Sequence, residues 1–199
     1  MAIGVLAVQG AFLEHEKMLE AIGRDYVEIR QRSDFRNIDG LILPGGESTV
    51  QGQLIRKLEL FEVIKKEIEH GLPVLATCAG LILLAQCIEN DDTVHLGTLP
   101  VTVRRNAYGR QLGSFTATGD VGDIEDYPHV FIRAPYITSA APEVEILSTI
   151  DNHIVGVRYR NQTAYAFHPE LTEDLRLLDR WGRGQCHLDS INLDYGILL

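Results

Sequence analysis

Cys78 lies where a cysteine can act as a nucleophile. It follows an apolar run, 72–76, that is typical of a buried strand, and it precedes an apolar segment with a helical pattern. A side chain on a sharp strand-to-helix turn is exposed, and the helix N-terminus favours the reactive thiolate. Gly80 allows close backbone packing behind the turn. The alternative is a buried structural cysteine. We assign that interpretation to Cys87, which is expected in the middle of a helix, and we assign no role to Cys186.

His168 is the histidine best placed to serve Cys78 as a base, and a catalytic base needs a group that orients it. It follows a predicted strand and has a carboxylate two residues on, in His168-Pro169-Glu170. Pro169 favours an extended conformation for the residue before it, and in an extended segment residues i and i+2 point to the same side. We therefore expect Glu170 to hold the tautomer of the His168 ring. Surface or capping roles are expected for the remaining histidines, namely His15, His70, His95, His129, His153 and His187.

Pro44-Gly45-Gly46 forms a third candidate segment, directly after another predicted strand. Glycines tolerate positive φ and close contact, so the backbone N–H groups of such a loop can approach a ligand. The alternative is an ordinary turn in which Ser48 or Thr49 caps the next helix.

The elements that position these loops alternate between strand and helix over about the first 90 residues. Buried strands are predicted at 3–8, 26–29, 40–43 and 72–76, with helices over 12–22, 54–68 and 79–86. This alternation indicates an α/β fold, a doubly wound, mostly parallel sheet flanked by helices and similar to flavodoxin-like folds. The loops that carry Gln9-Gly10, Gly45-Gly46 and Cys78 then meet at the carboxyl ends of the strands, where ligands bind in such sheets.

The second half of the chain has a different pattern. Strands without long helices between them are predicted at 101–104, 111–116, 130–132, 145–150, 154–159 and 163–167. We expect an antiparallel extension of the same sheet within a single domain, 1–199, because no linker-like stretch intervenes. A closing helix is expected over 171–183, and the tail 182–199 is left unassigned.

Composition excludes several classes of protein. The chain has 199 residues with 45% hydrophobic and 23% charged residues, so it is long enough to bury a core without disulfide or metal staples. A net charge of −10 disfavours nucleic-acid binding and anionic membrane surfaces. Three cysteines cannot form a complete disulfide framework, and the N-terminus lacks a basic signal region, so a cytoplasmic location is expected. No HExxH or CxxC spacing supports a metal site.

Five segments occur along the chain in a characteristic order: Pro44-Gly45-Gly46-Glu47-Ser48-Thr49, Thr77-Cys78-Ala79-Gly80, Arg105-Asn106, Phe131-Ile132-Arg133-Ala134-Pro135 and Phe167-His168-Pro169-Glu170. Together they closely resemble the glutaminase subunits of pyridoxal 5′-phosphate synthases, a family of class I (triad-type) glutamine amidotransferases. The resemblance extends over about residues 1–176. Beyond Leu175 the sequence departs from the family's usual C-terminal helix.

The resemblance implies an enzyme that hydrolyses L-glutamine and passes ammonia to a separate synthase subunit in a large hetero-oligomer, without a cofactor. It assigns Cys78 as the nucleophile and His168 with Glu170 as the relay. The positions that match glutamine contacts are Gly46, Glu47, Ser48, Arg105, Ile132 and Arg133. Backbone N–H groups of Ala79 and of the Gly45-Gly46 loop are expected to form the oxyanion hole.

Other interpretations remain open at this point. Arg105 and Arg133 suit the substrate's α-carboxylate, since guanidinium grips carboxylate bidentately, and Glu47 suits its α-ammonium; surface salt bridges are the alternative for both arginines. For the whole chain, the alternatives are an amidotransferase subunit of another biosynthetic pathway, a cysteine hydrolase of related architecture and a catalytically silent binding subunit.

Overall fold

The computed structural model describes residues 2–107 and 113–191, with 184–191 as backbone only. Its strands are β1 (Ala2–Leu6), β2 (Tyr26–Ile29), β3 (Ile38–Leu43), β4 (Val74–Thr77), β5 (Ala85–Ile88), β6 (Leu99–Arg104), β7 (Ser114–Val121), β8 (Ile124–Ile132), β9 (Tyr136–Ala140), β10 (Glu145–Ile150), β11 (His153–Tyr159) and β12 (Gln162–Tyr165). The helices are α1 (Phe12–Ala21), α2 (Ser48–Lys57), α3 (Phe61–Glu69), α4 (Ala79–Leu84) and α5 (Arg176–Ile191), with 3₁₀ turns at Arg32–Phe35 and Pro169–Leu171.

One large sheet organises the described residues, with the strand order β2-β1-β3-β4-β12-β11-β9-β6-β5 and β10 paired to β11. The segment from β2 to β12 is parallel throughout, and antiparallel pairing begins between β12 and β11. The predicted α/β class, a mostly parallel sheet with an antiparallel extension, is confirmed.

Register along the parallel strands explains why distant loops meet. Leu43 of β3 pairs with Ala76 of β4, and Thr77 at the end of β4 pairs with Tyr165 at the end of β12. The segments after β3, β4 and β12 therefore leave the sheet side by side. Buried Val, Leu and Ile side chains dominate β3 and β4, as expected where both faces of a sheet are covered.

The expectation that all later strands extend the same sheet is wrong for β7 and β8. These strands pair only with each other as a separate two-stranded antiparallel sheet among the described residues. Aromatic packing holds this sheet against the segment after β12: the ring of His129 lies 4.2 Å from that of Phe167, with Phe131 at 6.0 Å. The predicted strand 111–116 begins at Ser114, and residues 111–112 lie outside the described residues.

The predicted continuous helix over 54–68 is two helices. Glu59 adopts a left-handed conformation, with φ of 56°. The N–H of Leu60 bonds to the carbonyl of Ile55 at 2.8 Å, which ends α2, and the Leu60 side chain becomes completely buried. Burial of Leu60 decides the break, which the continuous apolar spacing conceals.

The predicted helix 79–86 ends at Leu84, and the chain continues directly into β5, which pairs in parallel with β6. Cys87 is therefore exposed on a sheet strand, and its expected mid-helix position is wrong. The strand β9 at Tyr136–Ala140 was not predicted.

The closing helix begins later than predicted and extends further. A 3₁₀ turn occupies Pro169–Leu171, and α5 starts at Arg176 and continues through Gly182 to Ile191, so this part of the unassigned tail is helical. Residues 192–199 lie outside the described residues. None of the helices in the described ranges has the length and apolar character needed to cross a membrane.

Candidate active site

Cys78 occupies a strained turn between β4 and α4. Its backbone has φ of 47° and ψ of −100°, a conformation that residues other than glycine rarely adopt. The N–H of Cys78 bonds to the carbonyl of Tyr165 at 2.8 Å, which fixes the turn to the end of β12. Strain of this kind is concentrated at functional sites. The expectation of an exposed side chain on this turn is wrong, because Cys78 is only 6% exposed at the start of α4.

Gly80 permits this turn because α4 lies against the end of β3. A Cβ atom at Gly80 would lie 2.1 Å from the carbonyl oxygen of Leu43, a distance that no side chain can adopt. The predicted close packing behind the Cys78 turn is therefore confirmed.

His168 and Glu170 form a buried hydrogen-bonded pair. Nδ1 of His168 lies 2.7 Å from Oε1 of Glu170, and the two residues are 6% and 5% exposed. The predicted contact is confirmed, but its expected cause is wrong. His168 has φ of −110° and ψ of 85°, and the 3₁₀ turn at Pro169–Leu171, rather than an extended segment, folds the carboxylate back onto the ring.

The electrostatics of the pair favour a charged imidazole. Burial alone would lower the pKa of His168, but its interactions with the Cys78 thiol and with Glu170 raise that pKa to about 10. Burial would likewise raise the pKa of Glu170, whereas the neighbouring rings of His15 and His168 hold it below its ordinary value. The second nitrogen of His168, Nε2, makes no hydrogen bond of ordinary geometry to the described residues. It is the nitrogen left to exchange a proton, and such contacts often tighten only when substrate binds.

A cavity of about 360 Å³ brings most of the predicted residues together. Its walls include Cys78 and His168 together with all six predicted glutamine contacts, and its lining consists of Gln9, Gly46, Glu47, Ser48, Thr49, Cys78, Ile82, Arg105, Asn106, Ile132, Arg133 and His168. Glu170 lies behind the His168 ring rather than in the cavity wall.

The two arginines of the cavity differ in how they are held. Arg133 contacts Glu47 at 3.1 Å, with both side chains more than half exposed, so this pair opens at little cost. Arg105 is anchored, because it bonds to Asp91 at 2.9 Å and to the hydroxyls of Ser48 and Thr49 at 2.6 and 2.8 Å.

The residues expected to form the oxyanion hole occupy different positions. Gly46 lines the cavity, with φ of 156°. Gly45 packs against the relay, since a Cβ there would lie 2.4 Å from Cε1 of His168. Ala79 is the first residue of α4, where a backbone N–H has no partner within the helix. Their role toward a substrate oxygen stays a prediction.

His15 is a residue of this site that the sequence interpretation missed. Expected at the surface, it is completely buried, with Nε2 3.2 Å from Oγ1 of Thr77 and 3.5 Å from Oε2 of Glu170. His95 and His129 are also buried, at 6% and 0% exposure, so surface roles are wrong for them too. Among the side chains that the structure describes, in 2–107 and 113–183, no group of three or more His, Cys, Asp or Glu residues is arranged to hold a metal ion.

Comparison with known proteins identifies the kind of protein to which this site belongs. Residues 5–185 match the model of the SNO glutamine amidotransferase family. The chain belongs to this family. The amidotransferase is 55% identical over 193 residues to the pyridoxal 5′-phosphate synthase subunit PdxT of Desulfitobacterium hafniense (strain DSM 10664 / DCB-2), covering 96% of this chain and 94% of that protein. It is also 52% identical over 181 residues to the pyridoxal 5′-phosphate synthase subunit PdxT of Bifidobacterium longum (strain NCC 2705), and the match covers 87% of this chain and 95% of that protein.

Two solved structures share the fold of this chain. A crystal structure of a glutamine amidotransferase superposes with a TM-score of 0.89 at 38% identity. The superposition covers 94% of this chain and 100% of the other. A glutamine amidotransferase from Thermotoga maritima has a TM-score of 0.62 at 16% identity, covering 98% of this chain and 87% of the other, and so shares the fold.

Proposed function

We propose that this chain hydrolyses L-glutamine to L-glutamate and ammonia and delivers the ammonia to the synthase subunit of a pyridoxal 5′-phosphate synthase. Cys78 is the nucleophile, His168 transfers protons, and Glu170 orients and stabilises the imidazolium. The observation that carries this proposal is the placement of Cys78 and His168 in one cavity, with Glu170 2.7 Å from the ring nitrogen, in a glutamine amidotransferase. All of residues 1–199 belong to one domain in this account, and the enzyme acts in the cytoplasm.

The first half of the reaction forms a thioester. The thiolate of Cys78 attacks the side-chain amide carbon of glutamine, and the carbonyl oxygen becomes an oxyanion. His168 enters this step as an imidazolium, which its raised pKa of about 10 favours at neutral pH. It gives its Nε2 proton to the amide nitrogen as the C–N bond breaks, and ammonia leaves.

The second half releases glutamate. Neutral His168 takes a proton from water, the resulting hydroxide attacks the thioester carbon, and the C–S bond breaks. The thiolate–imidazolium pair is restored, and the product acid loses its proton to solvent. Buried Glu170 keeps Nδ1 engaged throughout, so that Nε2 faces the reaction in both halves.

The charged ends of glutamine match the open ion pair at the cavity rim. Arg133 and Glu47 neutralise each other in the free enzyme, 3.1 Å apart. A zwitterionic amino acid satisfies both, with its carboxylate on Arg133 and its ammonium on Glu47. Arg105 supports the same end of the cavity by holding Ser48, and Gly46 and Ile132 shape the space for the aliphatic stem.

The oxyanion is stabilised by backbone N–H groups of Ala79 and of the Gly45-Gly46 loop. Each such donor contributes about 10²–10³ in rate in a hydrolase where one was removed. Only glycine tolerates the φ of 156° at Gly46 beside Gln9, where a Cβ would lie 2.5 Å from Oε1 of that side chain. A peptide there can reorient on docking of the synthase subunit, which couples ammonia release to the presence of its acceptor.

The experiment that tests this function follows the amide nitrogen. The purified chain is supplied with L-glutamine labelled with ¹⁵N in the amide, first by itself and then with the synthase subunit of a pyridoxal 5′-phosphate synthase, together with the substrates of that synthase. We expect slow glutamate release by the chain by itself, faster release in the complex, and ¹⁵N in the pyridoxal 5′-phosphate formed. Glutamate release without ¹⁵N transfer would assign the enzyme to another pathway, and no glutamate under either condition would identify a silent subunit.

A further inference from the structure

His15 contacts the side of Glu170 that faces away from the catalytic imidazole. Oε1 of Glu170 accepts from Nδ1 of His168, at 2.7 Å, and from the hydroxyl of Thr77, at 3.3 Å. Oε2 lies 3.5 Å from Nε2 of His15 and has no hydrogen-bond partner of ordinary geometry among the described residues. The carboxylate thus lies against the polar atoms of His168, Thr77 and His15, of which only His168 lines the cavity.

Hydrogen-bond direction fixes the tautomer of His15. The hydroxyl of Thr77 donates its proton to Glu170, because a carboxylate only accepts. Its oxygen, 3.2 Å from Nε2 of His15, must then accept, so Nε2 carries the proton. Nδ1 is left as a bare acceptor, and it is buried without a partner among the described residues.

This arrangement favours a neutral His15. A cationic ring would bury an unpaired N–H at Nδ1, which costs more than an unpaired acceptor on a neutral ring. Burial accordingly lowers the pKa of His15, and His168 lowers it further. The negative charges of Glu170 and Glu14 raise that pKa but do not offset burial. Glu170, His168 and Glu14 are the charged groups that act on its ring, and β4 contributes the neutral hydroxyl of Thr77.

We propose that His15 is a positioning residue for the His168–Glu170 pair: together with Thr77 it holds the Glu170 carboxylate in the orientation that the catalytic imidazole requires. It supplies a neutral N–H donor rather than a second cation, so the negative charge of Glu170 remains available to His168. This inference rests on the proposed function, since it needs His168 to transfer protons.

The test uses His15→Met, which keeps a side chain of similar volume without the donor, and His15→Gln, whose amide places an N–H near the position of Nε2. Rates of glutamine hydrolysis are measured in the complex with the synthase subunit. We expect His15→Met to lower kcat by about 10-fold to 100-fold. Losses of this size are found when the hydrogen-bond partners that orient metal-bound histidines are mutated. KM should change little, because His15 does not line the cavity.

The pH dependence separates positioning from general destabilisation. In His15→Met, Glu170 is held less firmly and stabilises the imidazolium of His168 less. The alkaline limb, which is the fall of kcat at high pH in the plot of kcat against pH, therefore moves to lower pH. His15→Gln should recover most of the rate and return the limb toward the wild-type position. The control is Gln162→Met, which removes a buried amide bonded to the hydroxyl of Thr98 at 2.6 Å, at the end of β12 remote from His168, and should lower stability without moving the limb.

Thr77→Val provides a second route if His15→Met does not fold. It is nearly isosteric and removes only the hydroxyl that links the two side chains, so the same fall in kcat and shift of the alkaline limb are expected. The proposal would be overturned if either variant folds and keeps both the wild-type kcat and the wild-type position of the alkaline limb. Absence of hydrolysis in the wild-type complex would instead overturn the proposed function, so the two failures are distinguishable.

Discussion

The imidazole of His168 and the carboxylate of Glu170 are brought to 2.7 Å by the single 3₁₀ turn at Pro169–Leu171. The N–H of His168 bonds to the carbonyl of Val130 at 2.8 Å, so the separate β7–β8 sheet anchors His168 from the other side. The His168–Glu170 pair is therefore fixed both locally, by the turn, and through a long-range contact.

The raised pKa of His168 gives a direct prediction. Because the folded state favours the imidazolium, the ring keeps its proton at neutral pH and loses it only as the pH rises through about 10. NMR titration of labelled histidine rings in the free chain should show this midpoint, and Glu170→Gln should move it downward. A midpoint for His168 near the ordinary value of about 6.5 would contradict the proposed charge state.

Close packing at Gly80 predicts that even the methyl group of alanine at this position lowers stability and activity. The Cβ of Gly80→Ala would lie 2.1 Å from the carbonyl oxygen of Leu43, so α4 must shift and Cys78 with it. We expect a loss of about 1–3 kcal/mol in the free energy of unfolding, as for overpacked cores, and reduced hydrolysis.

Gly182→Ala is the matched control for that substitution. A Cβ at Gly182 would meet Arg24 at an ordinary 3.8 Å, and alanine favours a helix by about 1 kcal/mol over glycine. Thermal or denaturant unfolding of both variants checks the pair. Equal stability and activity in the two would show that the approach of α4 to β3 is not tight.

Arg133→Gln tests the binding of the substrate carboxylate. Loss of a hydrogen bond between charged groups, worth about 1.5–3 kcal/mol, should raise KM for glutamine by roughly 10-fold to 100-fold with a smaller effect on kcat. Arg158→Gln is the control, since it breaks a similarly exposed pair with Glu145 outside the cavity. Steady-state kinetics in the synthase complex measure both, and an unchanged KM in Arg133→Gln would remove Arg133 from the binding site.

The two cysteines with described side chains should separate by reagent. Cys87 is exposed on β5, whereas Cys78 is buried and lines the cavity. An electrophilic glutamine analogue should therefore modify Cys78, and a small general alkylating reagent should also reach Cys87. Peptide mapping by mass spectrometry identifies the labelled residue. Modification of Cys87 by the analogue while Cys78 stays free would contradict substrate recognition at the cavity.

Much of the site could be predicted because its residues lie at the ends of strongly apolar strands. The Cys78 turn and the loop at Gly45-Gly46 follow buried strands directly, and parallel pairing forces such ends together. The break at Glu59 could not be predicted, because apolar spacing continues across it and only the burial of Leu60 decides it.

The role of His15 depends on a contact across 62 positions of chain, with Thr77, which no local pattern contains. One signal was present in the sequence: His15 shares the helical spacing of Met18 and Leu19, both buried, and so lies on the inner face of α1. The flanking Glu14 and Glu16 concealed it.

The proposed role of the Cys78 sulfur as nucleophile can be checked by the rate of glutamate release by Cys78→Ala in the complex with the synthase subunit. Retained binding to that subunit shows that the variant is folded. We expect a loss on the order of 10⁶-fold, as when a serine-hydrolase triad loses its nucleophile. Glutamate release within tenfold of the wild-type rate, about 1.4 kcal/mol in barrier, would contradict it.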